Sequence, residues 1–323
     1  CCRVSNYSAK DITVFEGLEP VRRRPGMYIG GGGSTGLHHL VWEILDNAVD
    51  EAMNGYASNI ALALHKDGSS ITIQDDGRGI PVDKHPTTKT SAMEVIFTKL
   101  HAGGKFEGQN YKTAGGLHGV GASVVNALSR ELVATVRRDG FTWEQKYKQG
   151  EPVGGVKKIG PARGSGTTVY FRPDSTIFPK IQLDAGIIRE RLEVASYLHK
   201  GVKFYFENEA ASGSAEDPKR AVYQHDEGIG DYLKKILKER NARPAHESPF
   251  TQTREHEETG MRLDLVLQWT ESTDEHLRSY VNGIPTGSGG THENGLRAGM
   301  GKAIRNFIDT HNLSRKGVTL TAE

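Results

Sequence analysis

The chain has 323 residues, 25% of them charged, and a formal net charge of +1. That length exceeds one ordinary hydrophobic core and implies two domains. The balanced charge gives no global electrostatic case for nucleic acid, and no run of 18 apolar residues is present to span a membrane.

The first residues lack the apolar stretch of a signal peptide. The only two cysteines, Cys1 and Cys2, are adjacent, so neither a disulfide framework nor a zinc site is expected. A reducing, cytoplasmic compartment fits. The 39 glycines cluster in 30–33, 103–121 and 283–301, where backbone must bend or approach a ligand closely.

In chain order, a helix is expected over 38–52, with Ser34 or Thr35 as its cap. Alternation over 59–65 and 69–74, about the turn Lys66-Asp67-Gly68-Ser69, predicts a hairpin. Residues 91–100 are helical by apolar spacing. A glycine-rich loop over 101–117 and a helix at about 120–128 follow. Strands are expected at 131–137, 141–147 and 167–171, the first two joined at Arg138-Asp139-Gly140. A helix over 185–199 leads to a strand at 202–207. The small polar stretch 208–219 is a loop, and residues 220–227 form a candidate domain junction. Beyond it lie a helix at 229–240, strands near 262–269 and 276–281, and a long helix after Gly290. The pattern is α/β with substantial antiparallel content. No repeat or low-complexity segment stands out.

The helix HHLVWEILDNAVDEA (38–52) carries most of the chemistry. At about 100° per residue, His39, Glu43, Asp46, Asn47, Asp50 and Glu51 share one side. Val41, Trp42, Ile44, Leu45, Ala48, Val49 and Ala52 share the other, and Leu40 is the one apolar intruder on the polar side. A solvated surface face is the plainer reading. Against it, the segment has no lysine or arginine to pair with four carboxylates. The acids also run past the first turn, where the helix dipole favours them. An external cation resolves both. Magnesium takes hard oxygen ligands and needs only one or two protein contacts beside water and phosphate. The carboxamide oxygen of Asn47 suits that role. Glu43, one turn earlier, would lie near a bound phosphate, where a carboxylate can orient and deprotonate a water.

Neither GxxxxGK[ST] nor a strand–GxGxxG–helix unit occurs, so a P-loop and a Rossmann site are excluded at the motif level. Two other glycine motifs are present. DDGRGIP (75–81) follows a strand. Gly77 and Gly79 permit a tight turn, and Asp75 could accept a hydrogen bond from an exocyclic amine; an ordinary Asp-Gly turn is the alternative. GGLHGVGAS (115–123) sets a glycine-rich loop before a helix, where backbone N–H groups can cradle an anion. A mobile loop is the alternative, compatible with the first. Nearby, His101-Ala102-Gly103-Gly104-Lys105 adds a lysine able to reach a phosphate.

These three elements, in this order, resemble the GHKL ATPases, which include type II topoisomerases, the ninety-kilodalton heat-shock chaperone, MutL-type repair proteins and histidine kinases. GLEPVRRRPGMYIG (17–30), the acidic helix, DDGRGIP, LHAGGKF (100–106), YKTAGGLHGVGASVVNAL (111–128) and GGTHENG (289–295) are similar to the B-type subunits of bacterial type IIA topoisomerases, gyrase or topoisomerase IV. The likeness runs from about Tyr7 to the end. It implies a GHKL (Bergerat-type) α/β sandwich over 1–222 and a smaller, incomplete transducer domain over 223–323.

The resemblance further implies ATP and Mg2+ as cofactors. Glu43 is then the general base, His39 its orienting neighbour and Asn47 the magnesium ligand. Asp75 reads the adenine amine beside Thr167, and Arg78, Gly79, Ile80 and Pro81 edge the adenine pocket. Asp50 supports the pocket, paired with Arg78. Asp46 and Glu51 have no assigned role. Gly103, Gly104, Lys105, Tyr111 and the loop Gly115, Gly116, Leu117, His118, Gly119, Val120, Gly121, Ala122 and Ser123 form a lid over ribose and phosphates. The N-terminal arm is expected to cross to a second protomer, bringing Tyr7 to the other ATP and closing a homodimer clamp around DNA. The A-type subunit completes an A2B2 enzyme. In the family a lysine in a Gln-Thr-Lys loop contacts the γ-phosphate. The chain ends at Thr321-Ala322-Glu323 before such a loop, so it reads as a fragment of a longer polypeptide. A nucleotide-sensing dimerisation module and another GHKL member, such as a MutL-type protein, are the rival readings.

Overall fold

The computed structural model describes residues 15–100, 102 and 121–313. Two short helices, α1 (Glu19–Arg23) and α2 (Gly26–Ile29), precede the long α3 (Ser34–Met53). A hairpin, β1 (Asn59–Leu64) and β2 (Ile71–Asp75), leads to α4 (Ala92–Thr98) and α5 (Gly121–Ala127). Five strands follow: β3 (Ser129–Arg138), β4 (Phe141–Lys148), β5 (Glu151–Pro152), β6 (Lys157–Pro161) and β7 (Gly166–Pro173). Then come α6 (Ala185–Leu198), β8 (Lys203–Asn208), β9 (Arg220–Tyr223), α7 (Ile229–Glu239), and the hairpin β10 (Phe250–Glu255) and β11 (Arg262–Leu267). The last elements are β12 (Tyr280–Val281), β13 (Ile284–Pro285) and α8 (Thr291–Thr310). By contacts the chain divides into two compact units, Cys1–Glu271 and Ser272–Glu323.

In the first unit, period-two burial makes the sheet. Ile60, Leu62 and Leu64 of β1 and Ile71 and Ile73 of β2 point inward, as do Leu132, Ala134 and Val136 of β3. The strand order is β5-β4-β3-β7-β2-β1-β8-β9, with β6 also on β4. Every pairing in this sheet is antiparallel except β1 with β8. Helices α3, α4, α5 and α6 send Leu40, Ile44, Phe97, Val125, Ile188 and Leu192 into one cluster with Phe171, Phe204 and the inward strand residues. Each such side chain contributes about 1.5–3 kcal/mol of burial. The result is the α/β sandwich that the resemblance implied. Its strands lie under α3 and carry β2's end, with Asp75, to the acidic helix.

Several expectations need correcting. The cap of α3 is Gly33, without a side-chain bond, and Ser34 and Thr35 lie inside the helix. The first turn is closed by backbone packing instead: a Cβ on Gly36 would fall 1.9 Å from the Gly31 carbonyl oxygen. Strands β5, β6, β9 and β10 have no forecast. They are short or mostly exposed edge and hairpin strands, as in Lys157–Pro161. Helix α6 is capped by Asp184, whose Oδ1 accepts from the Gly186 and Ile187 N–H groups at 2.7 and 3.1 Å.

In the second unit, the strand expected at 276–281 shrinks to Tyr280–Val281, paired with Ile284–Pro285. The turn between them places Asn282 at φ 51 and Gly283 at φ 80, the left-handed pair of a two-residue hairpin. The Ser279 hydroxyl meets Thr286 and the Glu293 carboxylate, and Arg297 binds Glu275 at 2.6 Å.

Candidate nucleotide site

The polar side of α3 is not a solvated face. From Gly36 to Asn54 no residue is exposed, and Asp50 is fully buried. The carboxylates find partners from distant chain segments. Glu51 accepts from the Arg78 main-chain N–H at 3.0 Å and from its Nε and Nη2 at 3.1 and 2.7 Å. Asp46 accepts from Arg191 Nη2 of α6 at 3.3 Å. The repulsion inferred from the missing local cations is therefore met by tertiary arginines, which a window of 15 residues cannot reveal. The arginine expected beside Asp50 is held by Glu51, because Glu51 lies on the flank of α3 that faces the loop after β2.

Within this face His39 Nε2 lies 3.0 Å from Glu43 Oε1. The bond to Glu43 holds the His39 imidazole above its ordinary value, against the opposing effect of burial. Burial also pushes the Asp46 carboxyl up, with Arg191 opposing. Asn47, one turn beyond Glu43, is half-buried on the same face.

The second wall is the end of β2. Asp75 is 7% exposed. Its Oδ1 accepts from the Gly77 N–H at 2.9 Å and the Thr167 N–H at 3.3 Å. Burial, reinforced by Glu51 and Asp76, pushes the Asp75 carboxyl up to about 7 despite these bonds. Close backbone approach requires glycine at two positions. A Cβ on Gly79 (φ +76) would sit 2.8 Å from the Arg137 carbonyl oxygen, and one on Gly166 (φ +143) 2.2 Å from that of Asp75. Arg138 Nη1 donates to the Gly79 carbonyl at 2.7 Å, and the Arg78 guanidinium lies 3.7 Å from the Tyr56 ring centre. Ile80 is half-buried against the core, and Pro81 is exposed.

The third wall is the start of α5. A Cβ on Gly121 would lie 2.0 Å from Glu43 Oε2, so only glycine lets this backbone meet the carboxylate. Ala122 and Ser123 behind it are buried. The structure thus brings His39, Glu43, Asn47, Asp50, Asp75, Arg78, Gly79, Ile80, Gly121, Ala122, Ser123 and Thr167 around α3 and its neighbours. Tyr7, Gly103, Gly104, Lys105, Tyr111, Gly115, Gly116, Leu117, His118, Gly119 and Val120 lie outside the described residues.

The structure gives roles to three residues for which the sequence offers none. Glu51 anchors Arg78, and Arg191 anchors Asp46. His38 is 3% exposed; its Nε2 accepts from the Asp184 N–H at 2.9 Å and its Nδ1 faces the Ser34 carbonyl at 2.8 Å. That geometry is the neutral Nδ1–H tautomer. No local pattern marks Arg191. An amphipathic reading of α6 places it on the helix but not against α3.

The model of the histidine kinase-, DNA gyrase B- and HSP90-like ATPases matches residues 32–177, and that of DNA gyrase B matches residues 228–323. The chain is 41% identical to the DNA gyrase B protein of Thermotoga maritima, over 99% of this chain and 50% of that one. It is 42% identical to the B component of DNA topoisomerase 4 of Mycoplasma pneumoniae, over 97% and 48%. It spans about half the length of such curated relatives. Among solved structures it is similar to the 43K ATPase domain of Thermus thermophilus gyrase B, a complex with an aminocoumarin, at TM-score 0.80 and 36% identity over 94% of this chain and 76% of that one. With this coverage of a solved ATPase domain and with both family matches in order, the chain belongs to the family of DNA gyrase B and topoisomerase IV B subunits.

Proposed function

We propose that the chain binds Mg-ATP between α3, the end of β2 and the start of α5, and hydrolyses it with Glu43 as general base. The observation that carries this reading is the pairing of Glu43 Oε1 with His39 at 3.0 Å while Oε2 faces the Gly121 backbone. The imidazole fixes one carboxylate oxygen, leaving the other to take a proton from an attacking water. Asp75, at the end of β2 beside the Glu51–Arg78 pair, accepts the adenine amine.

Among the described residues no group of three or more His, Cys, Asp or Glu is placed to hold a metal ion. The half-buried Asn47 carboxamide, one oxygen donor on an acidic face, fits a magnesium ion whose other ligands are phosphate and water oxygens. When bound, that ion supplies charge neutralisation on the phosphates. Glu43, His39 and Asn47 then orient water, base and phosphate.

In the whole protein this site would drive an ATP-operated homodimer clamp of a type IIA topoisomerase, closed by the N-terminal arm. The enzyme would be assembled with an A-type subunit and would pass one DNA segment through another in the cytoplasm. We place the boundary between ATPase and transducer domains at 222/223; the second family match, from residue 228, supports it.

The test is Glu43→Gln, assayed for phosphate release with magnesium and for nucleotide binding by calorimetry. Retained binding with hydrolysis lost agrees with the reading. Turnover retained with binding lost contradicts it. Wild-type binding without phosphate release would instead indicate a nucleotide-sensing module.

A further inference from the structure

Helix α6 touches α3 at two points, the second of them on the acidic face. At its start, the Asp184 N–H donates to His38 at 2.9 Å. Roughly two turns further along both helices, Arg191 reaches Asp46 at 3.3 Å, with the side chains 22% and 25% exposed. The Arg191 guanidinium also lies 5.8 Å from the Trp42 ring centre. Its Nε is buried without a hydrogen-bond partner among the described residues, as are single guanidinium nitrogens of Arg172 and Arg189.

The far side of α6 is anchored. Glu193 binds Lys235 of α7 at 2.6 Å, and the Tyr197 and Tyr232 rings stack at 4.8 Å with 7° between their planes. Ile188 and Leu192 are fully buried in the core. The arginine is therefore presented from a helix anchored on its other sides.

Asp46 lies between His39 and Asp50 on the same face, one turn after Glu43. If unneutralised, its carboxylate would repel Glu43 across one helical turn. Glu43 is held on one oxygen by His39, so a like charge beside it acts on the orientation of that pair.

We propose that Arg191 is a positioning residue for hydrolysis: by neutralising Asp46 from α6 it keeps the Glu43–His39 pair aligned for the attacking water. The inference rests on Glu43 being the base. It assigns a role to a residue far from the nucleotide motifs and explains why Asp46 is tolerated in the centre of a catalytic face.

The test uses the full chain in single-turnover ATP hydrolysis, with ATP affinity measured by calorimetry and folding by thermal melting. Arg191→Met should lower the hydrolysis rate about tenfold while ATP affinity stays within about twofold. Arg191→Lys, which keeps the charge, should recover most of that loss. Asp46→Asn added to Arg191→Met should also recover it, because no charge is left to neutralise. A rate unchanged in Arg191→Met overturns the proposal. So does a rate that falls only in step with the folded fraction or with ATP affinity, or one that neither Arg191→Lys nor the double variant recovers. Absence of hydrolysis in the wild-type chain would instead overturn the assignment of the reaction itself.

Discussion

Glu51 of α3 and Arg78 of the loop after β2 are joined by three hydrogen bonds of 2.7 to 3.1 Å, which tie the acidic helix to the segment carrying Asp75. One carboxylate holds both the main chain and the fork of the same arginine, so the pair fixes the loop's path as well as its charge. Glu51→Gln keeps the size but halves the acceptor capacity. It should cost about 1.5–3 kcal/mol, the range for bonds to charged groups, and weaken ATP binding roughly tenfold. Chemical denaturation and calorimetric titration measure the two effects. Unaltered ATP affinity would separate this pair from the adenine pocket.

The buried Asp75 gives a pH dependence of defined sign. Its folded-state carboxyl is raised from 3.8 to about 7, so between those values the folded chain holds a proton that the unfolded chain has released. Its contribution to stability is fully present at low pH and is lost as pH rises towards 7. Asp75→Asn, which keeps an oxygen for the Gly77 and Thr167 N–H groups, should melt higher than the wild type, by a margin that grows over this window and then levels off. Its nucleotide affinity should fall at pH 8, where the wild type presents a carboxylate to the adenine amine. A constant melting difference across the window would contradict a raised carboxyl.

Asp174 has the opposite sign. It receives Arg22 Nη2 at 2.7 Å, Gln149 Nε2 at 2.7 Å, and the Thr176 N–H and hydroxyl at 3.0 and 2.9 Å. Those bonds outweigh burial and hold its carboxyl down at about 2. The stability it supplies is present above the unfolded value of 3.8 and disappears as pH falls through about 2. Asp174→Asn should therefore destabilise the chain at pH 7. The difference from wild type should shrink from about pH 4 downwards. Urea unfolding over pH 3–7 follows it, and a difference independent of pH would rule out the ion pair as its origin.

What the sequence revealed and what it concealed have distinct causes. The acidic face of α3, the β1–β2 hairpin and the turn at Asp139-Gly140 were readable because each is set by residues within a few positions. Asp139 and Gly140 do adopt the φ of 53° and 78° that such a turn demands. The partners of that face were not readable, since Arg191 is 145 residues from Asp46 and Arg78 is 27 from Glu51. Charge compensation judged within one helix therefore erred. The edge strands β6 and β9 escaped for another reason. β6 is almost wholly exposed, and β9 has only four residues, of which Ala221 and Tyr223 pack on the core. The hairpin at Asn282-Gly283 was legible in principle, as Asn-Gly is a strong two-residue turn signal, but the flanking strands are too short to announce it.

Two glycine substitutions separate chemistry from folding at the site. At Gly121 an added Cβ would meet Glu43 Oε2 at 2.0 Å, its Cδ at 3.1 Å and its Cβ at 3.3 Å; the two closest lie at the movable end of the side chain. Gly121→Ala should therefore fold as well as the wild type and bind ATP within a few-fold, yet hydrolyse it at least about tenfold more slowly, because the Glu43 carboxylate is pushed from its place. At Gly166 the obstacle is the Asp75 main-chain oxygen at 2.2 Å, and φ is +143. That contact cannot be relieved by rotating a side chain, so Gly166→Ala should lose folding stability and ATP binding together. Melting curves, calorimetry and phosphate release on the two variants test the contrast. Gly121→Ala with full hydrolysis would mean that the carboxylate position seen against α5 is not the one used in turnover.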